Sequence, residues 1–181
     1  MVLFPILAGG YDNFIARYVF DNDTLALTLA GKFPSGENPS WISANANRSV
    51  LLWFLCVLHH KFHANTTNSA VNEIPVGAVQ SFSINSDGTL SGPIDTVGSG
   101  GNGPAYCVQF SNGDVATMNY GSGSGSFTRT VNEGKFEPNP TSVNFPPTNA
   151  SHPHMALEYG GKVFVPDLVS VILYLSFTIR A

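Results

Sequence analysis

Four side chains that ligate metals crowd between positions 56 and 63: Cys56, His59, His60 and His63. Thiolate and imidazole suit zinc, but a closed site built from such pairs needs a second pair at regular spacing, and none follows. No metal is therefore expected here. Two glycine runs, residues 98–103 and 121–125, have the look of phosphate loops. Such a loop must follow a strand and open a helix. Here Pro104 and Arg129-Thr-Val come next, with no helical periodicity, so both runs read as turns between strands. The two remaining histidines, His152 and His154, flank a proline, and one isolated acid, Glu73, precedes Ile-Pro.

The elements that position these groups are strands. The chain has 13 Phe, 6 Tyr, 18 Gly and 12 Pro among 181 residues, which favours strands and tight turns. Charged residues make up only 11%, against about 25% in ordinary soluble domains. With eight Lys and Arg and a net charge of −4, no basic stripe exists to neutralise phosphates, which argues against a nucleic-acid partner. Two cysteines make no disulfide framework. The apolar stretch 50–58 is far short of the roughly 20 residues of a spanning helix, and Pro166 and Asp167 interrupt the stretch 163–179, so no membrane span is expected. The opening MVLFPILAGGYD lacks the basic start of a signal peptide, which favours a cytosolic setting. The sequons at Asn22, Asn47, Asn65 and Asn149 would matter only after secretion.

Residues 5–10, 14–20 and 25–32 are three β-like runs separated by turn residues. A longer unit then repeats. Asn38-Pro-Ser-Trp-Ile, Gly103-Pro-Ala-Tyr-Cys and His152-Pro-His-Met-Ala share one form, and each precedes a turn and a second strand. The prolines at 104 and 153 are 153 − 104 = 49 residues apart, a blade-like spacing, whereas 104 − 39 = 65 is too long. Asn119 follows Pro104 by 15 residues and Asp167 follows Pro153 by 14, while the matching Asn72 follows Pro39 by 33. The surplus of 18 or 19 residues falls between Leu51 and Val71. Its sequence, LWFLCVLHHKFHANTTNSA, breaks the pattern, and we read residues 52–70 as an aberrant, intron-derived insert. The apolar residues 169–181 read as a second departure, and Val169-Ser170 can be encoded by a splice-donor hexamer.

Ile6-Leu-Ala-Gly-Gly-Tyr, Gly36-Glu-Asn-Pro-Ser-Trp, Asn72-Glu-Ile-Pro, Ala78-Val-Gln-Ser-Phe-Ser-Ile-Asn-Ser-Asp-Gly-Thr-Leu and Ser151-His-Pro-His-Met-Ala occur in this order. Together they resemble the lactonases with a seven-bladed β-propeller fold, which include 6-phosphogluconolactonases and carboxy-cis,cis-muconate cyclases. The resemblance implies an all-β chain: residues 1–168 as a partial propeller, with three strands of the closing blade, two further blades and the start of a third. It also implies fewer than half the family's blades, so that the chain by itself is expected to be too incomplete to carry the family's activity, hence inactive, and to self-associate through unpaired blade edges.

By the same resemblance, His154 looks like the family's channel histidine. Lactone hydrolysis needs a group to take a proton from water and a donor to steady the oxyanion, and imidazole can exchange protons at neutral pH. The family's arginine and glutamate belong to later blades, and nothing before Ala181 replaces them. Glu73, at the end of a second strand, is the other candidate, although a solvated loop carboxylate explains it better. Trp41 and Tyr106 hold matching repeat positions, which suits packing of blade against blade. The implied ligand is a small lactone or sugar acid, with no cofactor. The alternatives are a cycloisomerase on the same fold and a non-enzymatic propeller fragment or interaction module. Gly-His and Trp-Asp signatures of scaffold propellers do not recur.

Overall fold

The computed structural model describes residues 1–44, 52–57, 76–132, 134–146, 150–168 and 173–175. Four antiparallel sheets follow one another along the chain. The first is the three-stranded β1 (Leu3–Ala8), β2 (Phe14–Asp21) and β3 (Ala26–Pro34), in that order. The second has four strands in chain order, β4 (Pro39–Ala44), β5 (Leu52–Val57), β6 (Val76–Ile84) and β7 (Leu90–Asn102). The third is built from β8 (Pro104–Gln109), β9 (Val115–Asn119) and β10 (Ser124–Thr128). A short hairpin, β11 (Thr130–Val131) and β12 (Lys135–Phe136), precedes its last strand, β13 (Thr141–Asn144). The fourth consists of β14 (Leu157–Tyr159), β15 (Lys162–Val165) and β16 (Leu173–Leu175). This is the all-β, partial propeller that the repeats imply: three closing strands, two four-stranded blades and the start of another.

Period-two alternation stacks the sheets face to face. On β6, Phe82 points to the first sheet and packs with Ile15 there and with Leu90 of its own sheet, while Val79 points the other way, to Cys107, Val115 and Phe136. On β9, Ala116 and Met118 join Tyr106, Phe110, Phe145, Val163 and Val165 between the third and fourth sheets. Each blade thus closes its core only against its neighbours, as in other repeat architectures. Among the described residues nothing covers the two ends of the stack. On the first sheet Phe4, Ile6, Leu27 and Leu29 are exposed, and on the fourth Leu157 and Tyr159 are exposed.

The three repeat prolines open the first strand or segment of their sheets. Pro104 lies opposite Asn119 and Pro153 opposite Asp167, so the residues that marked the repeat in sequence are cross-strand partners. The second sheet differs. There Pro39 lies opposite Val57, and β5 pairs with β4 and β6 on both sides. The fold therefore uses residues 52–57 as a blade strand, where the spacing assigned that place to residues near Asn72. Likewise, residues 173–175 of the tail pair with β15. His59, His60, His63 and Glu73 lie outside the described residues.

The sheets meet closely at these prolines. A Cβ on Gly77 would lie 2.1 Å from Pro104 Cδ, and one on Gly9 would lie 2.2 Å from the Pro39 carbonyl oxygen. Neither the proline ring nor the backbone carbonyl can yield cheaply. Gly77→Ala is expected to destabilise the fold by about 1–3 kcal/mol through overpacking, read as a lower Tm in thermal unfolding. At the far end of the strands, the turn at residues 85–89 ties two blades. Gly88 takes φ +79°, and Arg17 Nη2 donates to the Asp87 carbonyl at 2.6 Å. The Thr89 hydroxyl and N–H donate to the Asp87 carboxylate and hold it below the ordinary carboxylate range.

Candidate active site

Where β9 ends, the chain turns through a single 3-10 turn, Tyr120–Ser122, and Gly123 in the left-handed conformation (φ 60°) returns it to β10. A web of small polar side chains holds this turn in place. Asn119 Nδ2 donates to the Ser99 carbonyl at 3.0 Å, and the Ser126 hydroxyl donates to the same oxygen at 2.5 Å. The Ser122 and Ser124 hydroxyls are 2.8 Å apart, and Ser122 Oγ accepts from the Asn102 N–H at 3.0 Å. Gly101 leaves the necessary room, since a Cβ there would lie 2.5 Å from Asn119 Nδ2. The first glycine run is thus not the turn expected from sequence but the last part of β7, while the second makes the turn from β9 into β10. Their small residues let the second and third sheets approach closely and fix the residue that follows Asn119.

That residue is Tyr120, and the segment 151–154 supplies its neighbours. The Asp167 carboxylate accepts from the buried Ser151 hydroxyl and, at 3.0 Å, from the His152 N–H. The His154 N–H donates to the Pro166 carbonyl at 3.3 Å, and the Leu168 N–H to that of His152 at 3.1 Å. With its backbone held in this way, the His152 ring stacks on Tyr120, with centroids 4.4 Å apart and planes inclined by 22°. His152 Nδ1 lies 2.9 Å from the Tyr120 carbonyl oxygen. A carbonyl only accepts, so Nδ1 carries a proton and Nε2 is the nitrogen left for other partners.

His154 meets the same ring edge-on, with centroids 5.9 Å apart and planes at 84°. Its side chain is exposed. Among the described residues no polar group bonds to its imidazole. The cluster thus contains two imidazoles and a phenol around one point: one imidazole fixed in orientation, the other open to solvent. Such a set can take a proton from water and donate a hydrogen bond to a developing anion. Among the described residues no three His, Cys, Asp or Glu side chains gather as a metal site.

The sequence pattern of the family described as "Lactonase, 7-bladed beta-propeller" matches residues 5–170. The chain belongs to this lactonase family. Its fold is shared by solved structures at low identity. A candidate 6-phosphogluconolactonase from Bacteroides uniformis has a TM-score of 0.73 and 20% identity, over 96% of this chain and 50% of its own. The periplasmic gluconolactonase of Pseudomonas aeruginosa has a TM-score of 0.72 and 22% identity, over 92% of this chain and 48% of its own. A candidate 6-phosphogluconolactonase from Bacteroides fragilis has a TM-score of 0.69 and 19% identity, over 90% and 44%. The chain therefore spans about half the length of the structures it matches. No curated protein matches it in sequence.

Of the site residues proposed from sequence, His154 stands in the cluster and Glu73 is outside the described part. Trp41 and Tyr106 touch across the second and third sheets, with ring centroids 4.9 Å apart. The sequence reading missed Tyr120 and treated His152 and Asp167 only as repeat markers. Yet the repeat carried a signal: Tyr120 follows its proline by 120 − 104 = 16 residues, one step beyond the Asn119 that marks the period.

Proposed function

We propose that these sheets carry part of a lactone-hydrolysing site, in which His154 takes the proton from the attacking water. The observation that carries this reading is the exposed His154 imidazole, with no polar partner among the described residues, set against Tyr120 at the strand ends of a lactonase-family stack. The water oxygen would bond to the ring carbonyl carbon while its proton passes to His154. The ring C–O bond would then break, and the proton would return to the departing ring oxygen to give the open hydroxy acid. The names of the matched structures, gluconolactonase and 6-phosphogluconolactonase, support a sugar-acid lactone as the substrate class. No cofactor is part of this proposal, and for the chain by itself we propose reduced turnover. A cytosolic setting is part of the same reading, although the Pseudomonas aeruginosa protein works in the periplasm.

The experiment is a substrate panel on the purified polypeptide. Proton release from glucono-1,5-lactone and its 6-phosphate, above the spontaneous rate, is expected. Conversion of a carboxymuconate with no lactone hydrolysis would favour the cycloisomerase instead, and inactivity on every substrate would favour a non-enzymatic fragment.

Self-association through the uncovered first blade is a second part of the proposal. Phe4, Ile6, Leu27 and Leu29 form an exposed apolar face, β1 is an edge with no outer partner among the described residues, and the same chain exposes Leu157 and Tyr159 at the other end of the stack. An open blade face and edge favour association of copies. Light scattering coupled to size exclusion is expected to show oligomers that diminish in the double variant Phe4→Lys, Leu27→Lys.

A further inference from the structure

We infer that Tyr120 contacts the substrate, its hydroxyl donating the hydrogen bond that steadies the lactone carbonyl oxygen as negative charge develops there. This inference rests on the lactonase reading and adds to it the donor that the sequence did not reveal.

Three observations meet at this side chain. First, Tyr120 is held from both directions. Its carbonyl accepts from His152 Nδ1, its ring is covered on one face by the His152 imidazole, and the preceding residue is the buried Asn119, bonded to Ser99 and Ser124. A donor fixed before substrate arrives is the kind that stabilises a transition state most effectively, because nothing need reorganise during reaction. Second, the ring is half-buried, and among the described residues no group bonds to its hydroxyl. A phenol in a closed core finds a partner; this one remains open beside the exposed His154. Third, the His154 and Tyr120 rings meet in a T-shaped contact, so base and donor are neighbours at the ends of the third and fourth sheets and can act on one bound carbonyl. A phenol also suits this place chemically. It supplies a hydrogen bond without a charge, where the family resemblance leads one to look for an arginine that the first blades do not provide.

The bland alternative is that Tyr120 is there only to pack, with its ring as a spacer between the third and fourth sheets. Tyr120→Phe separates the two, because it keeps the ring, the stack on His152 and the edge contact with His154, and removes only the hydroxyl.

The experiment compares wild type, Tyr120→Phe and His154→Ala in hydrolysis of glucono-1,5-lactone, and measures binding of the non-hydrolysable glucono-1,5-lactam by calorimetry. A loss of about 10²-fold or more in kcat for Tyr120→Phe, with KM within about twofold, is expected for one lost oxyanion donor. Lactam binding should weaken about fivefold, the worth of one ordinary hydrogen bond. If Tyr120→Phe matches wild type in both assays while His154→Ala is impaired, the inference is overturned and the lactonase reading stands. If wild type binds the lactam without turning over the lactone, and Tyr120→Phe binds it less tightly, the contact is upheld and the hydrolytic reading fails. If wild type neither binds nor hydrolyses, both fall.

Discussion

His154→Ala is expected to lower lactone hydrolysis by about 10²–10⁴-fold, the usual contribution of a positioned general base. Stability should scarcely change, because the His154 side chain is exposed and its bond to Pro166 runs through the backbone N–H, which alanine retains. Initial rates with the lactone, beside a thermal melt, make the check. A fall in rate at unchanged Tm places His154 in the chemistry. A rate equal to wild type removes it, and leaves His152 Nε2 as the base in the cluster.

The largest structural effect is expected from Phe145→Ala. Phe145 is fully buried between the third and fourth sheets, among Tyr106, Met118 and Val163, and its N–H donates to the Gly123 carbonyl at 2.9 Å. Removing a buried phenyl ring loses its transfer free energy and leaves a cavity, together worth about 3–5 kcal/mol. In a chain of this size that corresponds to a fall of roughly ten degrees in Tm. The void would open just beneath the turn that carries Tyr120, so lactone turnover should fall with the Tm. Tyr159→Ala, on the exposed face of the fourth sheet, is the contrasting case and should move Tm little.

The propeller was legible because its punctuation is chemical. Pro39, Pro104 and Pro153 recur because proline is tolerated at the first residue of a strand that has an edge free of partners, and Asn119 and Asp167 recur opposite two of them. The placement of β5 was not legible. A short apolar run such as Leu52–Val57 has no period of its own, and the count from Pro39 favoured Asn72 over Val57. His154 was named through the Ser151-His-Pro-His-Met-Ala resemblance, not through any property of the residue. The stack of His152 on Tyr120 joins positions 152 − 120 = 32 apart on different sheets, and no local pattern encodes such a contact. The same holds for Gly9 and Gly77. Their need to be glycine comes from Pro39 and Pro104 on the next blade, not from their own backbone conformation.

The most direct measurement is a titration of the protein with D-gluconate, followed by the aromatic carbon–proton signals in NMR and by the backbone amides. The account predicts that the signals of Tyr120, His152 and His154 shift together and saturate. The turns at residues 85–89 and 111–114, at the opposite ends of the strands, should stay still. Shifts confined to those far turns, or no saturable shift at all, would contradict a sugar-acid site at the Tyr120 end of the stack.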